Sequence, residues 1–281
     1  MALRIKPYQD LTFTDDFMFC NILQNNPDIC KELIELLLAR KISSIRMAEN
    51  QRTIDITPDG KGVRLDVYFE DDDTVYDIEM QTRNHRNIPK RTRYYQGIVD
   101  LNQIQAGADY CDLKGSYIIF INTFDMYGHG FPIYTFEYFC REDKSIPMRD
   151  EAIKVFVNAT SKQTNMSSEL RSFLDYLVSG LPCSELTGRI ESKVERARSN
   201  DDWEVSYMTL ADKYKEMFED GKEEGLAEGL AEGLAEGLAK GEAIYDALIC
   251  NLHKNGMSVP EIARIAELPE TKVAEIVQPS K

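Results

Sequence analysis

Apolar and polar residues alternate along residues 64–70 and again along residues 75–81. A period of two sends successive side chains to opposite faces of a strand, so the pattern predicts two β-strands joined by an acidic turn. One face collects the apolar side chains, which are Leu65, Val67, Phe69, Tyr76, Ile78 and Met80. A turn centred between Asp72 and Asp73 places Asp66 directly opposite Glu79, with Cβ atoms about 5 Å apart.

The remaining periodicity predicts further elements on both sides of this hairpin. Helical spacing covers residues 14–38, with Thr14 as N-cap and an interruption at Asn25-Asn26-Pro27. It also covers residues 88–107, 170–178 and 189–198. Strand patterns cover residues 42–57, 116–123, 133–140 and 152–159. This order predicts an α/β or α+β domain with a mixed sheet.

The composition changes near residue 200, so we expect a domain of residues 1–200 and a helical tail of residues 201–281. The tail repeats the tetrapeptide AEGL, with glycine and leucine recurring every four residues. Each glycine costs a helix about 1 kcal/mol relative to alanine, so such a helix is marginal alone. Two interpretations stay open, which are self-association through the small residues and a spacer of variable length.

Near the end of the tail, residues 258–277 have the spacing of a helix-turn-helix. Its cations are few, however, with three basic residues against four acids from Gly256 onward. Because phosphate contacts dominate affinity for DNA, this balance favours a packing or dimerisation module over a DNA reader.

Bulk composition narrows the class of protein. The formal net charge of −15 opposes general attraction to nucleic acid or anionic membranes, although it allows a local basic site. The six cysteines form no CxxC pair, so we expect neither a disulfide scaffold nor a zinc site. Without an apolar leader or a long apolar run, the sequence predicts a cytoplasmic protein that does not enter the membrane.

Asp66 and Glu79 form the first candidate site. Like charges placed opposite each other destabilise a hairpin, and a divalent cation held by both carboxylates would remove the conflict. The alternative is a shifted register with two surface acids.

A cationic stretch follows the hairpin, without any acid between residues 81 and 93; it contains Arg83, Arg86, Lys90, Arg91 and Arg93. Carboxylates beside phosphate-binding cations are typical of metal-assisted phosphodiester hydrolysis, whereas a solvated helix face is the plainer alternative.

Several motifs together carry a family resemblance. Asp66 followed by Glu79-Met80-Gln81 resembles the D…(D/E)-x-K signature of restriction-endonuclease-like nucleases, with glutamine in the lysine position. With TDDFMF, RTRYYQGIVD, GADYCDLKGSYIIFINTFD and the AEGL tail, the chain resembles the Rpn family of recombination-promoting nucleases and putative transposases. The resemblance implies an α/β restriction-endonuclease-like core, a mixed β-sheet flanked by helices, and Mg²⁺ (or Mn²⁺) held by Asp66 and Glu79.

The resemblance also implies roles for other residues. Gln81 would take a catalytic position, Asp16 would add an acid from the first helix, with Asp15 as the alternative, and Arg91 would contact the scissile phosphate. The expected function is a Mg²⁺-dependent DNA endonuclease of recombination, mobile elements or phage defence, associating through its tail. The alternative is a nuclease fold of weak or absent activity that acts as a DNA- or protein-binding module through the tail.

Overall fold

The computed structural model describes residues 5–47, 53–54, 63–104 and 107–278. The strands are β1 (Arg46–Met47), β2 (Thr53–Ile54), β3 (Val63–Arg64), β4 (Val67–Glu70), β5 (Thr74–Gln81), β6 (Gly115–Asn122), β7 (Ile133–Phe136) and β8 (Ala152–Asn158). The helices are α1 (Asp16–Asn25), α2 (Pro27–Leu38), α3 (Ile88–Gln103), α4 (Ser168–Ser179), α5 (Glu185–Arg198), α6 (Asp201–Lys254), α7 (Val259–Ala266) and α8 (Glu270–Val277). The predicted strand of residues 42–57 lies partly outside the described residues.

Six strands form one sheet in the order β1-β4-β5-β6-β8-β7. β4 and β5 are antiparallel, β6 runs parallel to both β5 and β8, and β7 is antiparallel to β8. Helix α3 makes the crossover between the parallel strands β5 and β6 and packs on one face of the sheet. The fold is therefore α/β with a mixed sheet flanked by helices, as the resemblance implied.

The hairpin has the register that the alternation predicted. Val67 pairs with Ile78, and Phe69 pairs with Tyr76, whose rings stack with centroids 4.6 Å apart. The first strand is shorter than predicted because the chain bends at Asp66, and the bend sends Leu65 into the cluster beneath α3. Every residue of β5 is buried, so its polar face lies under protein and not in solvent.

The first helical region is divided as the sequence predicted. Pro27 occupies the first turn of α2, and proline disfavours helical geometry in the residue before it, so α1 ends at Asn25. The N-cap prediction was wrong, because Asp15 and not Thr14 precedes α1. The Asp15 carboxylate accepts hydrogen bonds from the backbone N–H and the hydroxyl of Thr12, and this contact orders the turn in front of the helix.

One compact unit of the chain ends at Thr209 and a second begins at Leu210. In the second unit, α6 carries the AEGL repeat as continuous helix, with its leucines more than half exposed. The end of α6 packs with α7 and α8 around Ile249, Ile262 and Val273. None of the helices in the described ranges combines the length and hydrophobicity needed to span a bilayer.

Candidate active site

Three carboxylates are buried where β4 and β5 meet. Asp66, Asp77 and Glu79 are 9%, 0% and 1% exposed. Asp77 and Glu79 share the face of β5 that α3 covers, because residues two apart on a strand point the same way. The register then brings Asp66 beside Glu79, so a short hairpin concentrates three acids in the protein interior.

The bend at Asp66 is fixed by hydrogen bonds from three directions. Its backbone N–H donates to Oε1 of Glu79 at 3.1 Å, and its Oδ2 accepts from the backbone N–H of Met80 at 3.3 Å. From α1, the Gln24 amide donates to the Asp66 carbonyl at 3.0 Å. The Asp66 side chain is consequently held at the junction of β5 and α1.

Arg91 reaches the same place from α3. Its Nη2 donates to Oε2 of Glu79 at 2.8 Å, and its Nη1 donates to Oε1 of Gln81 at 3.4 Å. The guanidinium carbon lies 5.2 Å from the ring centroid of Tyr95 and 5.3 Å from that of Phe120, within the range of cation–π attraction. Aromatic faces and two acceptors thus fix Arg91 in one orientation.

On the other side of Asp66, α1 contributes two further ligand atoms. One carboxylate oxygen each of Asp16 and Asp66 and the Sγ of Cys20 all lie within 4.8 Å of one another. The Cys20 Sγ is 3.7 Å from Oδ1 of Asp16. Asp15, the alternative acid, pairs with Lys6 and lies outside this group. Glu79 is outside it too, since its oxygens are held by Arg91 and by the backbone of Asp66.

Burial and mutual repulsion govern the electrostatics of the acids. Burial, then the charges of Glu79 and Asp16, raise the pKa of Asp66 well above its usual range. Burial and the charge of Asp66 raise the pKa of Asp77, and burial and Asp77 raise that of Glu79, while Arg91 lowers both. One guanidinium therefore faces more negative charge than it can neutralise.

Asp77 gives the clearest sign of missing positive charge. Both of its carboxylate oxygens are buried, and neither has a hydrogen-bond partner within the described part of the chain. Buried carboxylates are ordinarily paired or coordinate a metal. Divalent cations such as Mg²⁺ bind hard oxygen ligands. The buried carboxylates outnumber the one arginine beside them, so these residues fit a divalent cation.

Residues 10–133 match the family model described as PD-(D/E)XK nuclease family transposase. This segment, which is less than half of the chain, is similar to that family. The match contains the candidate site, including Asp16 on α1, the acids of the hairpin and Arg91 on α3. Searches of curated proteins and of solved structures found no match. The resemblance derived from the motifs is confirmed at the level of the family.

The PD-(D/E)XK segment also carries exposed cations next to the buried acids. Of the five predicted DNA-binding residues, Arg91 is half-buried, and Arg83, Arg86, Lys90 and Arg93 are exposed. Within the part of the chain that the structure describes, none of these four forms an ion pair. They lie in the loop after β5 and in the first turns of α3, so the cationic surface adjoins the end of β5.

Sequence analysis named five of the site residues of the PD-(D/E)XK segment, of which Asp16 came from the resemblance, and missed two. Asp66, Glu79 and Gln81 meet as the strand pattern and the motif indicated, and Arg91 joins them from the helix that the resemblance placed at the site. Cys20 was missed, although its spacing of four from Asp16 places both on one face of α1. Asp77 was missed as well, because nothing in the alternation shows that its partner is absent.

Proposed function

We propose that the PD-(D/E)XK segment is a Mg²⁺-dependent DNA endonuclease, with Mn²⁺ as a substitute, that hydrolyses phosphodiester bonds in recombination, mobile-element movement or phage defence. One observation carries the proposal. The side chains of Asp66, Glu79, Gln81 and Arg91 lie together at the end of β5, beside an exposed cationic surface. Carboxylates that would hold a cation therefore lie next to basic side chains that would contact a phosphate backbone.

Each residue then has a distinct role. Asp66 and Glu79 would hold the cation, with Asp16 as a further acid on the solvent side. When bound, a divalent cation supplies positive charge against the charge that develops on the phosphate. Gln81 has an amide that can orient a water molecule by hydrogen bonds, and it carries no charge. Arg91 supplies the nearest fixed positive charge for a phosphate oxygen.

The exposed cations would place the duplex over this site. Four side chains without an ion-pair partner among the described residues are free to contact phosphates, and these are Arg83, Arg86, Lys90 and Arg93. They would act through backbone charge, since phosphate contacts carry no sequence information. A local surface of this kind would allow DNA binding by a chain whose net charge is −15.

A second function has its own supporting observation. The Arg91 guanidinium pairs with Glu79 and Gln81, and no lysine occupies position 81. A site whose carboxylate is already neutralised suits a nuclease fold of weak or absent activity, which would serve as a DNA- or protein-binding module through its tail.

Plasmid nicking separates the two functions. The wild-type chain should convert supercoiled DNA to the nicked form with Mg²⁺ or Mn²⁺ and not with EDTA. Asp66→Asn should lower the rate by roughly 10²-fold or more, because it removes one of the carboxylates that would hold the cation. Asp72→Asn, in the exposed turn of the same hairpin, is the matched control and should cut at the wild-type rate. DNA binding without cleavage in any cation would support the binding module.

We also propose that the tail associates between copies of the chain. The exposed fractions of Leu226, Leu230, Leu234 and Leu238 are 65%, 76%, 64% and 62%. The intervening glycines present no side chain that would keep a second helix away. A period of four drifts by about 40° per repeat around a helix, so a partner would wind around α6 with right-handed twist. A symmetric pair would bring two nuclease segments to one duplex.

A further inference from the structure

We propose that Cys20 is a metal ligand together with Asp16 and Asp66, and that this site takes a transition metal of the Zn²⁺ or Co²⁺ class. The inference deepens the proposed function, because Asp66 belongs to both ligand sets. It changes the chemistry of the cation, since one sulfur joins two carboxylate oxygens.

The spacing of the three ligand atoms suits one ion. Zinc lies about 2.3 Å from thiolate sulfur and about 2.1 Å from carboxylate oxygen, so two such ligands at a tetrahedral angle are roughly 3.6 Å apart. The Cys20 Sγ and the Asp16 Oδ1 are separated by 3.7 Å. The third atom, an oxygen of Asp66, is within 4.8 Å of both. Small side-chain movements would therefore complete the set.

Local structure explains why these three side chains converge. Asp16 and Cys20 are four residues apart on α1, which puts them one above the other on the same face of the helix. Asp66 meets this face because Gln24, a further four residues along, donates to the Asp66 carbonyl at 3.0 Å. Cys20 and Asp66 are buried and Asp16 is exposed, so the group opens to solvent on one side.

A second observation concerns the charge balance of the buried acids on the hairpin. Both oxygens of Asp77, on the same hairpin, are buried, and neither has a hydrogen-bond partner among the residues that the structure describes. Arg91 is committed to Glu79 and Gln81 on the opposite side. A cation at the α1 side of Asp66 would supply the charge that Arg91 does not.

The Cys20 sulfur determines which class of cation the site would prefer. Mg²⁺ takes hard oxygen ligands in an octahedral arrangement, and a thiolate is a poor partner for it. Zn²⁺ and Co²⁺ accept thiolate, imidazole and carboxylate ligands, and they bind such sites more tightly than Mn²⁺. Binding through Cys20 would thus favour the transition metals over Mg²⁺.

Cobalt absorption tests the ligand set directly. The reduced, metal-free full chain is titrated with Co²⁺, and bound cobalt should produce the strong near-ultraviolet band of thiolate-to-cobalt charge transfer. Cys20→Ser should abolish the band and weaken Co²⁺ binding by roughly tenfold or more. Cys30→Ser, a second buried helix cysteine that lies outside the group, is the matched control and should retain the band.

Two further measurements, Co²⁺ binding by an Asp16 variant and plasmid nicking, distinguish the possible outcomes. Asp16→Asn alters an exposed side chain, and it should also weaken Co²⁺ binding. A band that survives Cys20→Ser, or bound cobalt without any band in the wild-type chain, overturns the assignment. If the charge-transfer band is absent and the chain nicks DNA with Mg²⁺, the Cys20 ligand set is refuted and the proposed nuclease activity is supported. A Cys20-dependent band without nicking in any cation would support the ligand set and refute the nuclease.

Discussion

Replacing Asp77 with asparagine should stabilise the metal-free protein. Asp77 is fully buried on β5, and in the described ranges neither of its carboxylate oxygens has a hydrogen-bond partner. Asparagine has the same shape, carries no charge and brings two N–H donors next to the carboxylates of Asp66 and Glu79. The substitution therefore converts a repulsive neighbour into a donor without opening a cavity.

The size of the effect follows from the strand geometry. Residues two apart on one face of a strand are roughly 7 Å apart, which is the spacing expected between Asp77 and Glu79. At an effective dielectric constant of about 20, two unit charges at that distance repel by about 2 kcal/mol. Arg91 offsets part of this repulsion, and uptake of a proton relieves more. We expect a net gain of about 1–2 kcal/mol in the free energy of unfolding, or roughly 2–8 °C in Tm.

Urea denaturation in EDTA measures the gain, and Asp71 supplies the matched control. Asp71 is also buried, but its carboxylate accepts from the backbone of Asp73 and Thr74 and from the Tyr76 hydroxyl. Asp71→Asn should lose about 1–2 kcal/mol, because it weakens charge-assisted hydrogen bonds. If Asp77→Asn destabilises the protein as much as Asp71→Asn does, the Asp77 carboxylate has a partner and the reasoning from unneutralised charge is wrong.

Two other predictions concern binding surfaces. The double substitution of Lys90 and Arg93 by alanine should reduce the slope of log K against log salt for DNA binding by about 1.8, from two lost phosphate contacts. An unchanged slope would mean that these cations do not contact DNA. Replacing the four leucines of the AEGL repeat with glutamine should turn an associated full chain into a monomer by light scattering; a monomeric wild-type chain would contradict association through the tail.

The hairpin shows how far alternation predicts structure. Strict period-two spacing with a short acidic turn admits one register that buries both apolar faces, and that register is the observed one. The pattern did not indicate the bend at Asp66, which moves Leu65 to the α3 side. The pattern also predicts that Asp77 and Glu79 lie on the polar face of the hairpin. They are buried because α3, which follows β5 in the sequence, covers that face.

The sequence predicts the part of the candidate site that lies on the β4–β5 hairpin. It predicts less well the part where α1 and α3 meet that hairpin. Asp66 and Glu79 lie on a single hairpin, so strand pairing alone joins them. Asp16 was a candidate only through the resemblance to a family. The contact between α1 and the bend is made by packing and by the Gln24 amide, and neither leaves a periodic trace in the sequence. Cys20 enters the site by the same route.

The position of Arg91 bears on the missing lysine of the signature. Glutamine at position 81 removes a cation from β5, yet a guanidinium from α3 lies 3.4 Å from the Gln81 oxygen and 2.8 Å from Glu79. Packing on Tyr95 and Phe120 restrains it there, so its charge is present before any phosphate arrives. Preorganised charge costs no reorganisation during a reaction, which is the property that electrostatic catalysis requires. The helix therefore restores to the end of β5 the positive charge that the strand itself lacks.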